Sequence, residues 1–191
     1  MCEGTGASTV NAKVLESNIA ARKVFVTGEI NTAMAKLVAE QLHALAYIND
    51  EPIVMFISSP GGHVESGDMI FDAIRFIKPV VIVVGSGWVA SAGALIYVAA
   101  EKENRYSLPN TRFLLHQPTG GFQGRAMDFD TYAKEITIMK ERLNKIFSDA
   151  TGQPVEKVRV DTDRDFWLSA QEAVEYGLVH KIIVHEHEIY K

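Results

Sequence analysis

The chain has 191 residues, 47% of them apolar, with a formal net charge of −5 and a single cysteine. That apolar share excludes a disordered or fibrous protein and suffices for a three-layer core. No basic tract offers itself to nucleic acid, Cys2 alone cannot build a disulfide framework, and no apolar run is long enough to cross a bilayer. The opening residues lack the basic start and apolar stretch of a signal peptide, so a soluble cytoplasmic protein is expected.

In chain order, MCEGTGASTVNA is rich in Gly, Ser and Thr and reads as a disordered or processed segment over 1–12, ahead of one domain over 13–191. KVFVTG predicts a strand closed by glycine. Met34, Leu37, Val38, Leu42, Leu45 and Ile48 recur at three and four and predict a helix over 31–48. PIVMFISS is a continuous apolar strand, buried on both faces as in a parallel sheet, and SPGG follows as a tight turn. Val64, Met69, Ile70, Ala73, Ile74 and Ile77 predict a second helix that stops before Pro79. PVVIVVG is a further buried strand, and GWVASAGALIYVAA, residues 87–100, reads as a helix beginning among small residues. This rhythm predicts an α/β fold with a parallel βαβ core and right-handed crossovers. RYSL and RFLLH read as short strands around a turn, and QPTGGFQGR as a Gly-rich loop. A long helix spans about Ala126 to Ala150, with Phe129, Tyr132, Ile136, Met139, Leu143 and Ile146 spaced 3-4-3-4-3. Such a seam packs on the chain's own core or on another subunit. A short helix near 155–160, the segment FWLS, a helix over 169–176 ended by Gly177, and the strand VHKIIVH complete the chain.

Ligands of open α/β sheets sit beyond the carboxyl ends of the strands. Three such ends carry chemistry: Ser59-Pro60-Gly61-Gly62, Ser86-Gly87-Trp88 followed by Ser91, and His116-Gln117-Pro118. Ser91 near a helix start would meet free backbone N–H groups that favour an anion. The N–H of Ala92 and a second from Gly62 could flank an oxyanion, the glycine allowing close approach. The same small residues equally suit a helix pressed against a strand. Val89-Ala90-Ser91-Ala92-Gly93 departs from the G-x-S-x-G elbow. His116, fixed at a strand end, is the better base, and His63 beside Gly62 is its rival. His43 sits mid-helix, and His180, His185 and His187 lie in the tail, where HEH lacks a third ligand and no metal is expected. Asp161, Asp163 and Asp165 of DTDRDF could each orient a histidine, or form a solvated turn. No Walker loop, dinucleotide fingerprint, HExxH or CxxC occurs.

Seven pieces together carry a family resemblance: SPGG at 59–62, FIKP at 76–79, ASAGA at 90–94, LPN at 108–110, HQPTGGFQG at 116–124, DTDRDF at 161–166 and EAVEYGLV at 172–179. In order and spacing, from about Val24 to about Ile183, the chain resembles the proteolytic subunits of the Clp protease (ClpP) family. The resemblance implies a ClpP/crotonase-like βαβ core with a protruding strand–long-helix handle over about 112–150. It implies a serine endopeptidase in which Ser91 attacks the peptide carbonyl, His116 carries the proton and Asp165 orients His116. Gly62 and Ala92 would form the oxyanion hole, and Asp163 and Arg164 would couple ring assembly to the site. It further implies two stacked heptameric rings, a tetradecamer, hydrolysing unfolded polypeptides inside a chamber. A separate Clp-family ATPase unfoldase would feed it, so that ATP is used by the partner and this chain needs no cofactor. No nucleic acid or membrane partner is implied. Three features depart from the family pattern. The residues around the serine read Gly87-Trp88-Val89-Ala90-Ser91-Ala92-Gly93-Ala94 where the family has G-Q-A-A-S-M-G-A, His63 follows SPGG, and the usual axial loop and YDIYSRLL-like first helix are missing. The last departure motivates an alternative, a specialised subunit working in mixed rings with a paralogue. A crotonase-type acyl-CoA enzyme is a third reading.

Overall fold

The structure, a computed structural model, describes residues 4–118 and 128–190, with residues 4–11 as backbone alone. Its first element is a helix, α1 (Gly4–Ala20), where the sequence reading expects disorder to about Ala12. From Ala7 to Ala20 no glycine or proline interrupts the segment, and alanine, leucine, lysine and glutamate favour helix. Arg22 follows at φ 53° and turns the chain into β1 (Lys23–Thr27).

Strands β1, β2 (Ile53–Ser59), β3 (Val81–Ala90), β4 (Arg105–Ser107) and β7 (Lys181–Ile182) form a parallel sheet in the order β1-β2-β3-β4-β7. The intervening helices are α2 (Thr32–Ile48), capped by the Asn31 side chain, and α3 (Val64–Phe76). Ile53, Met55 and Ile57 of β2 are fully buried in one cluster with Val38, Leu42 and Leu45 of α2 and Ile70 and Ile74 of α3. Val54 points the other way, into a second cluster with Ile82, Val84, Ile183 and Ile189. The unbroken apolar run of β2 thus reflects burial on both faces. Leu37, Ile48 and Met69, counted in the helical stripes, are exposed. Arg22 donates to the carbonyls of Leu45 (3.1 Å), Asn49 (3.3 Å) and Glu51 (2.7 Å), closing the end of α2.

The helix expected from residue 87 starts late. β3 continues to Ala90, because Trp88, Val89 and Ala90 pair in parallel with Arg112, Phe113 and Leu114 of β5 (Arg112–Leu115). Ladder hydrogen bonds override the helical composition there, and only Ala92–Tyr97 form helix α4. β5 then pairs antiparallel with β6 (Phe166–Ser169), building a short arm of sheet beside the main one. Three further helices are α5 (Phe129–Thr151), α6 (Val155–Asp161) and α7 (Ala170–Tyr176). A Ser169–Glu172 capping box opens α7, and Gly177 closes it at φ 90°.

The 3-4-3-4-3 seam of α5 divides. Leu143 and Phe147 are buried, and Met139 and Ile146 pack partly against the core, whereas Phe129, Tyr132 and Ile136 are exposed. Most of QPTGGFQGR, residues 119–125, lies outside the described residues. The final strand is shorter than VHKIIVH. Glu188 Oε1 accepts the N–H groups of Val184 and His185, both at 2.8 Å, and turns the chain into a 3₁₀ turn over Glu186–Glu188. His185 and His187 stack there at 5.5 Å instead of lining a strand.

Candidate active site

Two strand registers assemble the site. In the parallel β3–β5 pair, Ala90 lies opposite Leu114, and the Ser91 N–H donates to the Leu114 carbonyl at 2.9 Å. Ser91 therefore stands beside the end of β5, one residue before His116. In the antiparallel β5–β6 pair, Leu115 lies opposite Phe166, which sets His116 against Asp165. The imidazole Nδ1 and Asp165 Oδ1 are 3.2 Å apart. Ser91 and His116 border one small cavity, and among the described residues no hydrogen bond joins the serine hydroxyl to the imidazole.

Ser91 itself is strained. It sits between β3 and α4 at φ 55° and ψ −121°, one of two non-glycine residues with positive φ among the described residues. Such a conformation costs on the order of 1–3 kcal/mol and persists only where its surroundings enforce it. A sharp strand-to-helix corner of this kind presents a serine Oγ outward, so the elbow geometry is present without its G-x-S-x-G signature. The surroundings are glycines. A Cβ on Gly61 would stand 2.6 Å from Ser91 Cβ, and one on Gly62 would stand 2.2 Å from the Ile30 carbonyl. The 61–63 segment is held by Ile30 N–H to the Gly61 carbonyl (2.8 Å) and His63 N–H to the Ile30 carbonyl (2.9 Å). Among the described residues the Gly62 N–H makes no hydrogen bond, and Ala92, first residue of α4, has no helical carbonyl to receive its N–H, because Trp88, four residues back, is strand. Ala92 adjoins Ser91 in the chain, and Gly62 adjoins Gly61, which packs on Ser91.

The three aspartates separate by their partners. Asp161 binds Lys157 at 2.6 Å and accepts from the Tyr176 hydroxyl at 2.8 Å; burial, then this bond, pushes the tyrosine pKa up. Asp163 faces Lys140 (3.6 Å), and its carbonyl accepts from the Gln117 side chain at 2.8 Å. Asp165 alone meets His116. Arg164 reaches into solvent, 4.0 Å from Asp163. His63, the rival base, bonds Ser66 Oγ at 2.8 Å and pairs with Glu65 at 3.2 Å, so it is engaged in the first turn of α3. His43 packs edge-on against Phe76, and His180 against Tyr106.

Ser59 and Gln117, named from the sequence only as parts of strand ends, support the site. Ser59 Oγ donates to the Gly28 carbonyl (2.7 Å) and accepts the Gly61 N–H (3.0 Å), fixing the glycine turn. Gln117 ties the strand end to Asp163 by its side chain and to the Thr162 carbonyl by its N–H at 2.8 Å. Neither has a pattern of its own; their places in SPGG and HQP were the available signal.

The Clp protease family model matches residues 6–186. The chain belongs to the Clp protease family. Its activity class is accordingly that of a serine-type endopeptidase. It is 66% identical over 186 residues to ATP-dependent Clp protease proteolytic subunit 2 of Pseudomonas aeruginosa, covering 97% of this chain and 92% of that one. Proteolytic subunit 3 of Rhizobium etli is 57% identical, with 93% and 92% covered. The solved ClpP1 of Listeria monocytogenes is 52% identical with a TM-score of 0.84, and a mutant of it gives 0.87, each match covering 92% of this chain and 99% of the other. The α/β core is therefore the Clp protease fold. The family match includes much of the N-terminal segment that departs from the common pattern.

Proposed function

We propose that Ser91, His116 and Asp165 hydrolyse peptide bonds of unfolded polypeptides. The observation that carries this is the 3.2 Å contact of His116 with Asp165, on a histidine that shares a cavity with a strained serine. His116 Nδ1–H donates to Asp165, leaving Nε2 free to take the Ser91 proton as Oγ attacks the carbonyl. The oxyanion is met by the N–H groups of Ala92 and Gly62. His116 passes the proton to the leaving amine, and water then releases the acyl group by the same path. The missing Ser91–His116 bond fits a resting form that tightens around substrate.

The catalytic domain spans 13–191, with residues 112–150 as the handle. The exposed apolar half of α5 suits a seam between two heptameric rings, and Asp163 and Arg164, which adjoin Asp165, suit a link between that junction and the triad. An ATP-driven Clp unfoldase supplies substrate to this cytoplasmic particle, and the chain itself uses no cofactor. A second reading, mixed rings with a paralogous subunit, is favoured because the relatives carry the numbers 2 and 3. A fluorophosphonate probe on the assembled protein tests the mechanism: it labels Ser91 and not Ser91→Ala. An assembled, folded protein that takes no probe refutes it.

A further inference from the structure

Two helices outside the triad form walls of the Ser91 cavity. Val64 comes from the first turn of α3, Leu143 and Phe147 from α5, and Leu95 from α4 between them. This partly open cavity offers only about 10 Å³, about what a single water needs. A substrate side chain larger than a methyl group therefore enters only if α3 and α5 part. α3 is already pressed onto the serine helix: a Cβ on Gly67 would stand 3.3 Å from that of Ala92. One turn beyond Val64, Asp68 grips Arg142, the neighbour of Leu143, through two parallel bonds of 2.7 Å each. Asp68 is half-buried and Arg142 exposed, and the bond to Asp68 raises the arginine pKa.

We propose that the Asp68–Arg142 pair is a clamp that sets the width of the pocket beside Ser91, restricting cleavage to bonds following small side chains. This rests on the peptidase reading above and assigns its specificity. A two-point guanidinium–carboxylate bond fixes both distance and orientation. It ties the turn of α3 that follows Val64 to the residue beside Leu143 on α5, so parting these two walls stretches or breaks it. Asp68 and Arg142 touch neither substrate nor triad; they are positioning residues.

The test uses the full chain in whichever ring, homomeric or mixed, is active. Fluorogenic peptides differ only in the residue that donates the scissile carbonyl, alanine or phenylalanine. The unaltered protein prefers alanine. Asp68→Asn and Arg142→Gln each raise the phenylalanine-to-alanine ratio of kcat/KM by about tenfold or more, the scale on which apolar pockets discriminate. The exchanged pair, Asp68→Arg with Arg142→Asp, returns the ratio toward its starting value, which a mere loss of stability would not do. Should the single variants fail to assemble, Arg142→Lys, which keeps the charge but loses the two-point grip, gives an intermediate ratio. Ratios unchanged in assembled variants overturn the clamp and leave the peptidase standing. No hydrolysis of either peptide, with Ser91 unlabelled, overturns both.

Discussion

Gly62→Ala probes whether the 61–63 turn supplies an oxyanion donor. At Gly62 the backbone has φ 145°, and a Cβ would lie 2.2 Å from the Ile30 carbonyl oxygen and 2.9 Å from the Ile30 nitrogen. Ordinary contact begins near 3.4 Å, so the turn must retreat by more than about 1 Å from Ile30, to which its neighbours Gly61 and His63 are hydrogen-bonded. A donor must lie about 2.7–3.1 Å from the oxyanion to serve it, so this retreat removes one of two. The expected loss is about a hundred- to a thousand-fold in kcat, or about 2.7–4 kcal/mol of barrier. Hydrolysis of a short fluorogenic peptide by the assembled variant measures it, with circular dichroism and native mass confirming fold and ring. A folded, assembled variant that keeps kcat within about threefold of the parent refutes a donor role for Gly62, since a donor moved that far cannot still act.

Asp165→Asn lowers kcat by about ten-thousand-fold while leaving the melting temperature near its parent value, because an amide holds the wrong imidazole tautomer; Asp161→Asn shows the reverse pattern in the same assays, since that carboxylate serves Lys157 and Tyr176. Arg105→Leu lowers the unfolding free energy by about 3 kcal/mol in urea titration, because the buried guanidinium donates to the carbonyls of Leu178 (3.2 Å) and Ala150 (2.9 Å), which would be left without it. Glu172, whose pKa is lowered first by the Ser169 N–H, contributes stability above the usual carboxylate range and loses it as pH falls through its depressed value; the melting curves of the parent and Glu172→Gln therefore differ at neutral pH and converge in acid. Ile136→Lys, on the exposed half of α5, leaves the fold intact and, if the proposed double ring forms through this seam, shifts native mass to single rings; an unchanged mass removes that seam from the ring junction.

Much of this protein is legible in the order of its residues. The period of α2, the unbroken apolar runs of β2 and β3, and the glycine that ends α7 are local signals, and each element follows from burial or backbone freedom along a few residues. The identities of Ser91, His116 and the aspartate group were also readable, because strand ends in an α/β sheet are where chemistry collects. Composition could not say that residues 87–90 are strand, since what holds them is the ladder to β5, more than twenty positions away. Nor could it choose among Asp161, Asp163 and Asp165, which alternate in one short segment: the resemblance pointed to the last, and the β5–β6 register, with competing partners for the other two, puts that one on the histidine. The strain at Ser91 and the Asp68–Arg142 bond likewise exist only once distant segments meet. Side-chain type is a property of one position, whereas distance between groups is a property of the packed whole.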